Sequence, residues 1–194
     1  MSRFGADYYQ RFYGRGGVHD RRTIAYLGTA VHNMCAWWGV TPKSVLDIGA
    51  GPGLWRDWYT QTHPRIKVTS IDISEYACRK YGHEQRDISE WRPTRQYDLS
   101  ICHGVLQYID DERVERAIAN IASATRHVLY LELPTAEDFN TIVDSSATDM
   151  DVHRRSGQWY RQRLEPHFFQ AGAGLWIRHG SILLYELERQ PQIM

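Results

Sequence analysis

Apolar positions mark out the elements before any residue needs a role. Between Arg22 and Trp38, the residues Ile24, Leu27, Val31, Met34 and Trp38 recur at alternating gaps of three and four. That spacing is one face of an amphipathic helix. Gly39 stands where a left-handed C-cap belongs, and Pro42 blocks continuation. Ser44–Ile48 then reads as a short buried strand. A glycine-rich turn leads into a helical stretch from Leu54 to about Gln61, which Pro64 breaks. Lys67–Asp72 is a second strand, and Ser74 can cap a helix running towards Tyr81. A weak third strand is expected around Gln85 and a stronger fourth over Tyr97–Cys102. Asp110 and Asp111 suit the positive end of a helix whose inner face is Val114, Ile118 and Ile121. Val128–Glu132 is a fifth strand, stopped by Pro134.

The end of the chain changes character. A late helix is expected from near Ser156, carrying Trp159, Tyr160, Phe168 and Phe169. Gly174–Arg178 and Ser181–Tyr185 flank His179-Gly180, a turn short enough for a hairpin. Strand and helix alternate five times and then close with that hairpin. The predicted fold is therefore α/β: a doubly wound, mostly parallel sheet with helices on both faces and a C-terminal antiparallel hairpin at one edge.

Composition narrows the function classes. The 194 residues fit one compact domain. Lys+Arg and Asp+Glu are 23 each, so the formal charge cancels. That balance argues against a broad footprint for nucleic acid or an anionic membrane. MSRFGADYYQ holds no apolar signal region, and no run of about eighteen apolar residues exists, so no membrane association is expected. Cys35, Cys78 and Cys102 are odd in number and scattered, which suits a reducing cytoplasm better than a disulfide scaffold.

Asp47-Ile48-Gly49-Ala50-Gly51-Pro52-Gly53 lies between a strand and a helix, where glycines let the backbone approach a ligand. Asp72 ends the next strand, placed to accept both hydroxyls of a ribose. The site therefore suits an adenosine-containing cofactor. A dinucleotide fingerprint would need glycine at Leu54, and no Walker lysine follows. Asp47, just before the first glycine, is set to meet an amine-bearing ligand rather than a pyrophosphate.

These residues carry a resemblance. Val45–Gly53 resembles the first motif of class I S-adenosylmethionine-dependent methyltransferases. Ile71-Asp72-Ile73-Ser74 looks like that family's ribose-binding strand end, and Arg86-Asp87-Ile88 like its adenine-reading segment. Tyr97–Ser100 through Gly104–Ile109 is similar to the fourth motif, beside the cofactor's methionine end. The match keeps its order over roughly residues 44 to 132. It implies that Asp47, Gly49 and Gly51 line the amino-acid part of S-adenosylmethionine and that Asp72, with Ile73 beside it, holds the ribose. Asp87 would read the adenine, with Ile88 against the ring, and His103 would reach the methionine side. Asp98 is expected to be structural. Tyr8–Tyr13 resembles an aromatic lid, with Tyr13 on the cofactor, or else docks the first helix. The chain is thus divided into a lid segment and helix over 1–40 and a methyltransferase core over 41–194.

Methyl transfer from a sulfonium needs alignment above all, and a hydroxyl acceptor also needs a base. His153, within Asp149–Arg155, is the first choice of base, and Glu132 the second. Glu132, Asp149, Asp151 and His153 could together hold a magnesium ion that orients a diol. Arg154, Arg155, Arg161 and Arg163 read as a solvated basic face. The chain lacks the Asn/Asp-Pro-Pro-Tyr run associated with methylation of nucleobase amines. The expected partner is a small-molecule acceptor, such as a sugar or other polyhydroxyl or phenolic metabolite methylated on oxygen. The alternatives are RNA or protein methylation, with the arginines between Arg3 and Arg22 as a footing, and a non-catalytic cofactor sensor or partner subunit. The density of aromatic residues is compatible with a homodimer.

Overall fold

The computed structural model describes residues 3–14 and 20–189. Part of the segment expected to form the lid, residues 15–19, lies outside the described residues. The chain opens with α1 (Ala6–Tyr13) and α2 (Arg21–Trp37), and Asp20 caps the latter by accepting from the Thr23 N–H at 2.7 Å. The alternating core follows: β1 (Ser44–Ile48), α3 (Leu54–Thr62), β2 (Lys67–Asp72), α4 (Glu75–Tyr81), β3 (Glu84–Gln85), β4 (Tyr97–His103), α5 (Asp111–Ala124) and β5 (Thr125–Glu132). After it come α6 (Ala136–Thr141), α7 (Gly157–Leu164), β6 (Phe168–Gly172) and β7 (Leu175–Arg178).

The seven strands form one sheet in the order β3-β2-β1-β4-β5-β7-β6. The first five run parallel, β7 runs antiparallel to β5, and β6 runs antiparallel to β7. Period-two alternation splits the core into two layers. Val45, Leu99, Ile101, Val128 and Tyr130 point to the layer shared with α2 and α3. Leu46, Ile48, Cys102, Leu129 and Leu131 point to the layer shared with α5 and α7. A central strand buried on both faces has no polar side to show, which is why these stretches read as continuous apolar runs.

Asp98 ties the amino edge of the sheet. Its Oδ2 accepts from the N–H groups of Lys43 and Ser44 at 2.8 and 3.0 Å, and its Oδ1 meets Arg126 at 2.9 Å. Burial pushes its carboxyl up, but these bonds together hold it below the usual range. The role is structural.

The hairpin is present one step earlier than the pattern predicts. Phe168–Gly172 pairs with Leu175–Arg178 through Gly172-Ala173-Gly174, all three with positive φ. Phe168 and Phe169 therefore lie on a strand, and the late helix ends at Leu164. β7 already has β5 on one side and β6 on the other. No ladder edge of β7 is left for Ser181–Tyr185, which forms no strand, and Leu183 is fully exposed. A side chain on Gly174 would meet the Tyr130 ring at 2.8 Å, which keeps this turn glycine and sets the register.

Candidate active site

The strand order reverses between β1 and β4, the place where α/β sheets open a crevice at their carboxyl ends. Register brings the site residues level there. Ile48 pairs with both Ile71 and Cys102, and His103 pairs with Glu132. The next residues along, Asp72, Gly49, His103 and Glu132, therefore form one row across the sheet's edge.

Two adjoining cavities sit on this row. In the first, Gly49, Gly51 and Asp72 form the floor, and Ile73, Asp87 and Ile88 form one side. Val105 and Arg113 face them, and Tyr9 and Tyr13 of α1 close the top. Asp72 is buried; its Oδ2 accepts from the Gly51 N–H at 2.8 Å and its Oδ1 from the Ser74 N–H at 2.8 Å. Each oxygen keeps a lone pair for a ligand hydroxyl. Gly49 has φ +63, and a Cβ there would lie 2.4 Å from a Val105 methyl, so the β1 and β4 loops touch only because it is glycine. His83 props the loop from below, its Nε2 at 3.0 Å from the Gly51 carbonyl and its Nδ1 at 2.8 Å from Ser70 Oγ.

Asp47 is buried beneath this loop rather than among the lining residues, and its Oδ2 finds no partner among the described residues. Burial pushes its carboxyl up to about 7, only partly offset by the Arg56 backbone N–H. Asp87 accepts from Ser89 at its backbone and hydroxyl through Oδ1, and its Oδ2 lies 3.5 Å from Arg113. Tyr9 is buried by stacking on Tyr76, ring centroids 5.5 Å apart.

The second cavity continues past Tyr8, Tyr13, Gly104 and Tyr108, which line both. His103 and Glu132 lie in its wall, opposite residues of α6 and of the segment from Ile142 to Asp149. The Trp55 indole N–H donates to His103 Nδ1 at 3.1 Å. An indole N–H can only donate, so Nδ1 must accept, and the neutral ring carries its proton on Nε2. That Nε2 faces Glu132 Oε1 at 3.7 Å, within ion-pair reach but longer than a hydrogen bond. Tyr130 donates its hydroxyl to Glu132 Oε2. Burial and this carboxylate both hold the Tyr130 phenol well above the usual range, so it stays a donor.

The structure does not bring His153 to either cavity. Its side chain is exposed near Asp110, and its backbone N–H bonds to the Gln107 carbonyl at 2.8 Å. The expected magnesium grouping is not assembled either. Glu132 and Asp149 line the second cavity without Asp151 or His153, and no group of three or more metal-ligating side chains occurs among the described residues.

Arg155 departs from the expected solvated face: it is 7% exposed. Its guanidinium donates to the carbonyls of Leu106 and Ile109 and pairs with Asp111 at 2.7 Å. It thereby pins the 3-10 turn Leu106–Tyr108, which carries Gln107 and Tyr108 into the second cavity. Gln107 and Tyr108 fall in the stretch that resembles the fourth motif, whereas Asp138 and Asp144 escape a reading of motifs because they lie on and after α6. One signal was present: Thr135-Ala136-Glu137-Asp138 is a capping box, and it opens α6.

No helix among the described residues is long and apolar enough to cross a membrane. The family model described as "Methyltransferase domain" matches residues 19–176. The chain is 26% identical over 106 residues to the tRNA1(Val) (adenine(37)-N6)-methyltransferase of Vibrio cholerae, covering 48% of this chain and 42% of that protein. It is 20% identical over 143 residues to the trans-aconitate 2-methyltransferase of Rhodopseudomonas palustris, covering 62% and 56%. The chain thus spans about half the length of these curated relatives. A solved S-adenosylmethionine-dependent methyltransferase from Clostridium acetobutylicum has the same fold, with a TM-score of 0.59 at 13% identity over 82% of this chain and 84% of that one. With that match over most of its length, the chain belongs to the methyltransferase domain family.

Proposed function

We propose that this enzyme methylates a hydroxyl oxygen of a small molecule held in the second cavity, with Glu132 as the base. The observation that carries this reading is the placement of Glu132 at the end of β5, beside the junction of the two cavities, with its oxygens addressed by His103 and Tyr130. The first cavity suits the cofactor: Asp72 offers two acceptor positions, and Gly49 lets the β1 and β4 loops meet at its floor. Gly49, Gly51, Asp72 and Asp87 would hold S-adenosylmethionine, which would supply an electrophilic methyl group with a thioether as the leaving group.

The chain's own residues do the rest. The aromatic side chains of α1 exclude water from above, and the wall residues hold the acceptor oxygen in line. Alignment of this kind can supply up to roughly 7–11 kcal/mol of the barrier. As the oxygen spends a lone pair on the new C–O bond, its proton becomes acidic and passes to the Glu132 carboxylate. Tyr130 donates to one oxygen of that carboxylate, and His103 Nε2 faces the other across 3.7 Å. The absence of an Asn/Asp-Pro-Pro-Tyr run after β4, where Cys102-His103-Gly104-Val105 stands, argues against the nucleobase chemistry named for the Vibrio relative.

Purified enzyme given methyl-labelled S-adenosylmethionine and an extract of its source cells should place label in metabolites. Label in RNA or protein would overturn the reading. Glu132→Gln should lower kcat about 10²–10⁴-fold and leave binding of S-adenosylhomocysteine unchanged.

A further inference from the structure

His83 stands between α4 and β3, under the glycine loop, and is 8% exposed. Both of its ring nitrogens are engaged. Nε2 lies 3.0 Å from the Gly51 carbonyl, while Nδ1 lies 2.8 Å from Ser70 Oγ and 3.2 Å from Arg56 Nη1. A guanidinium nitrogen can only donate, so Nδ1 accepts and the neutral ring carries its proton on Nε2. The Gly51 carbonyl demands the same tautomer independently, because it can only accept. Burial holds the ring's pKa below the usual imidazole value; the Gly51 bond opposes this and the Arg56 charge reinforces it.

Arg56 is itself fixed in place. Its Nη1 also donates to the Tyr81 carbonyl, and its Nη2 meets Asp57 Oδ1 at 2.8 Å. The loop rests directly on the pair: a Cβ at Gly53 would lie 2.8 Å from Arg56 Nη2 and 3.3 Å from His83 Cε1. Gly51, with φ +55, is therefore gripped at both ends, its N–H by Asp72 Oδ2 at 2.8 Å and its carbonyl by His83. Asp72 lines the first cavity and His83 does not, so His83 acts on that cavity at one remove.

We infer that His83 is a positioning residue for the cofactor. Through its Nε2–H bond it sets the place of Gly51, and through the Gly51 N–H that of Asp72 Oδ2, the oxygen offered to the ribose. The inference rests on reading the first cavity as the cofactor site. It assigns the affinity of that site partly to a ring the ligand never touches.

The test uses two amides of different reach. The side-chain NH2 stands where Nε2 does in His83→Gln and where Nδ1 does in His83→Asn. His83→Gln keeps the donor to Gly51 and gives up the acceptor facing Arg56 and Ser70; His83→Asn does the reverse. The full chain is titrated with S-adenosylhomocysteine by calorimetry. Affinity is expected within about 3-fold of the parent for His83→Gln and about 10-fold weaker for His83→Asn. Equal affinities in the two variants, or the greater loss in His83→Gln, would mark a merely structural role and overturn the inference. Ring-nitrogen NMR of the unaltered chain reads the tautomer without any variant. A protonated Nε2 beside a bare Nδ1, with Nε2 shifting as S-adenosylhomocysteine is added, is expected, and a protonated Nδ1 overturns the inference. A parent chain that does not bind S-adenosylhomocysteine overturns the cofactor reading itself, and the inference with it.

Discussion

The two cavities share a wall but are made in different ways. The first is built from backbone and from side chains that immediately follow strands: Gly49 and Gly51 after β1, Asp72 at the end of β2, and Gly104 and Val105 after β4. Its polar groups are bonded to the loop they serve, as Asp72 is to Gly51 and Ser74. The second draws on α1, the 3-10 turn, the end of β5, α6 and the segment up to Asp149. Its carboxylates come from separate places: Glu132 from the end of β5, Asp138 from α6, and Asp144 and Asp149 from the segment after it. A site for an invariant ligand can be written into the sheet, whereas a site for a particular acceptor is assembled from the connections around it.

Four changes would break or sharpen that contrast. Asp72→Ala has the largest expected effect, because it removes two charge-assisted loop bonds together with the acceptors offered to a ribose. Affinity for S-adenosylhomocysteine should fall about 100-fold by calorimetry, roughly 2.7 kcal/mol. Arg155→Met comes next and tests whether the second cavity depends on a pinned turn. It orphans the carbonyls of Leu106 and Ile109 and should cost about 2–3 kcal/mol, a drop of roughly 5–10 °C in Tm by calorimetric scanning. Unchanged stability would show that the turn holds itself.

Trp55→Phe probes the His103 tautomer with little change in volume. Without the indole donor, His103 Nδ1 can take the proton, and its Nε2 no longer donates towards Glu132. We expect kcat to fall about 10-fold with KM for the cofactor unmoved. The smallest effect is one of pH. The Asp47 carboxyl ionises near 3.8 in the unfolded chain and near 7 when folded, pushed up first by burial. Between those values the folded state holds a proton that the unfolded state has lost. Its contribution to stability is therefore complete below about pH 4 and is lost as pH rises through 7. Asp47→Asn should match the parent in acid and melt a few degrees higher at pH 8.

The same contrast explains what was legible in the sequence. β1 to β5 and the cofactor loop were readable because each is a local pattern: an apolar run, a glycine turn, an acid at a strand end. The hairpin was misplaced because Ser181–Tyr185 has strand composition, but both edges of β7 are already taken by β5 and β6, and pairing belongs to the sheet rather than the segment. Arg155 read as surface from its basic neighbours, yet two carbonyls a long way back in the chain draw it inward. Gln107 was covered by the stretch resembling the fourth motif, but Asp144 carried no signal of its own, since only the folded chain brings the residues after α6 to the second cavity.

Tyr8, Tyr13 and Tyr108 form part of both cavity walls, and the hydroxyls of Tyr8 and Tyr108 lie 2.9 Å apart. One wall therefore borders both cavities, and a displacement of these rings would reshape the two together. Occupancy of the first cavity should then alter affinity in the second, which calorimetric titration of one ligand in the presence of the other would read.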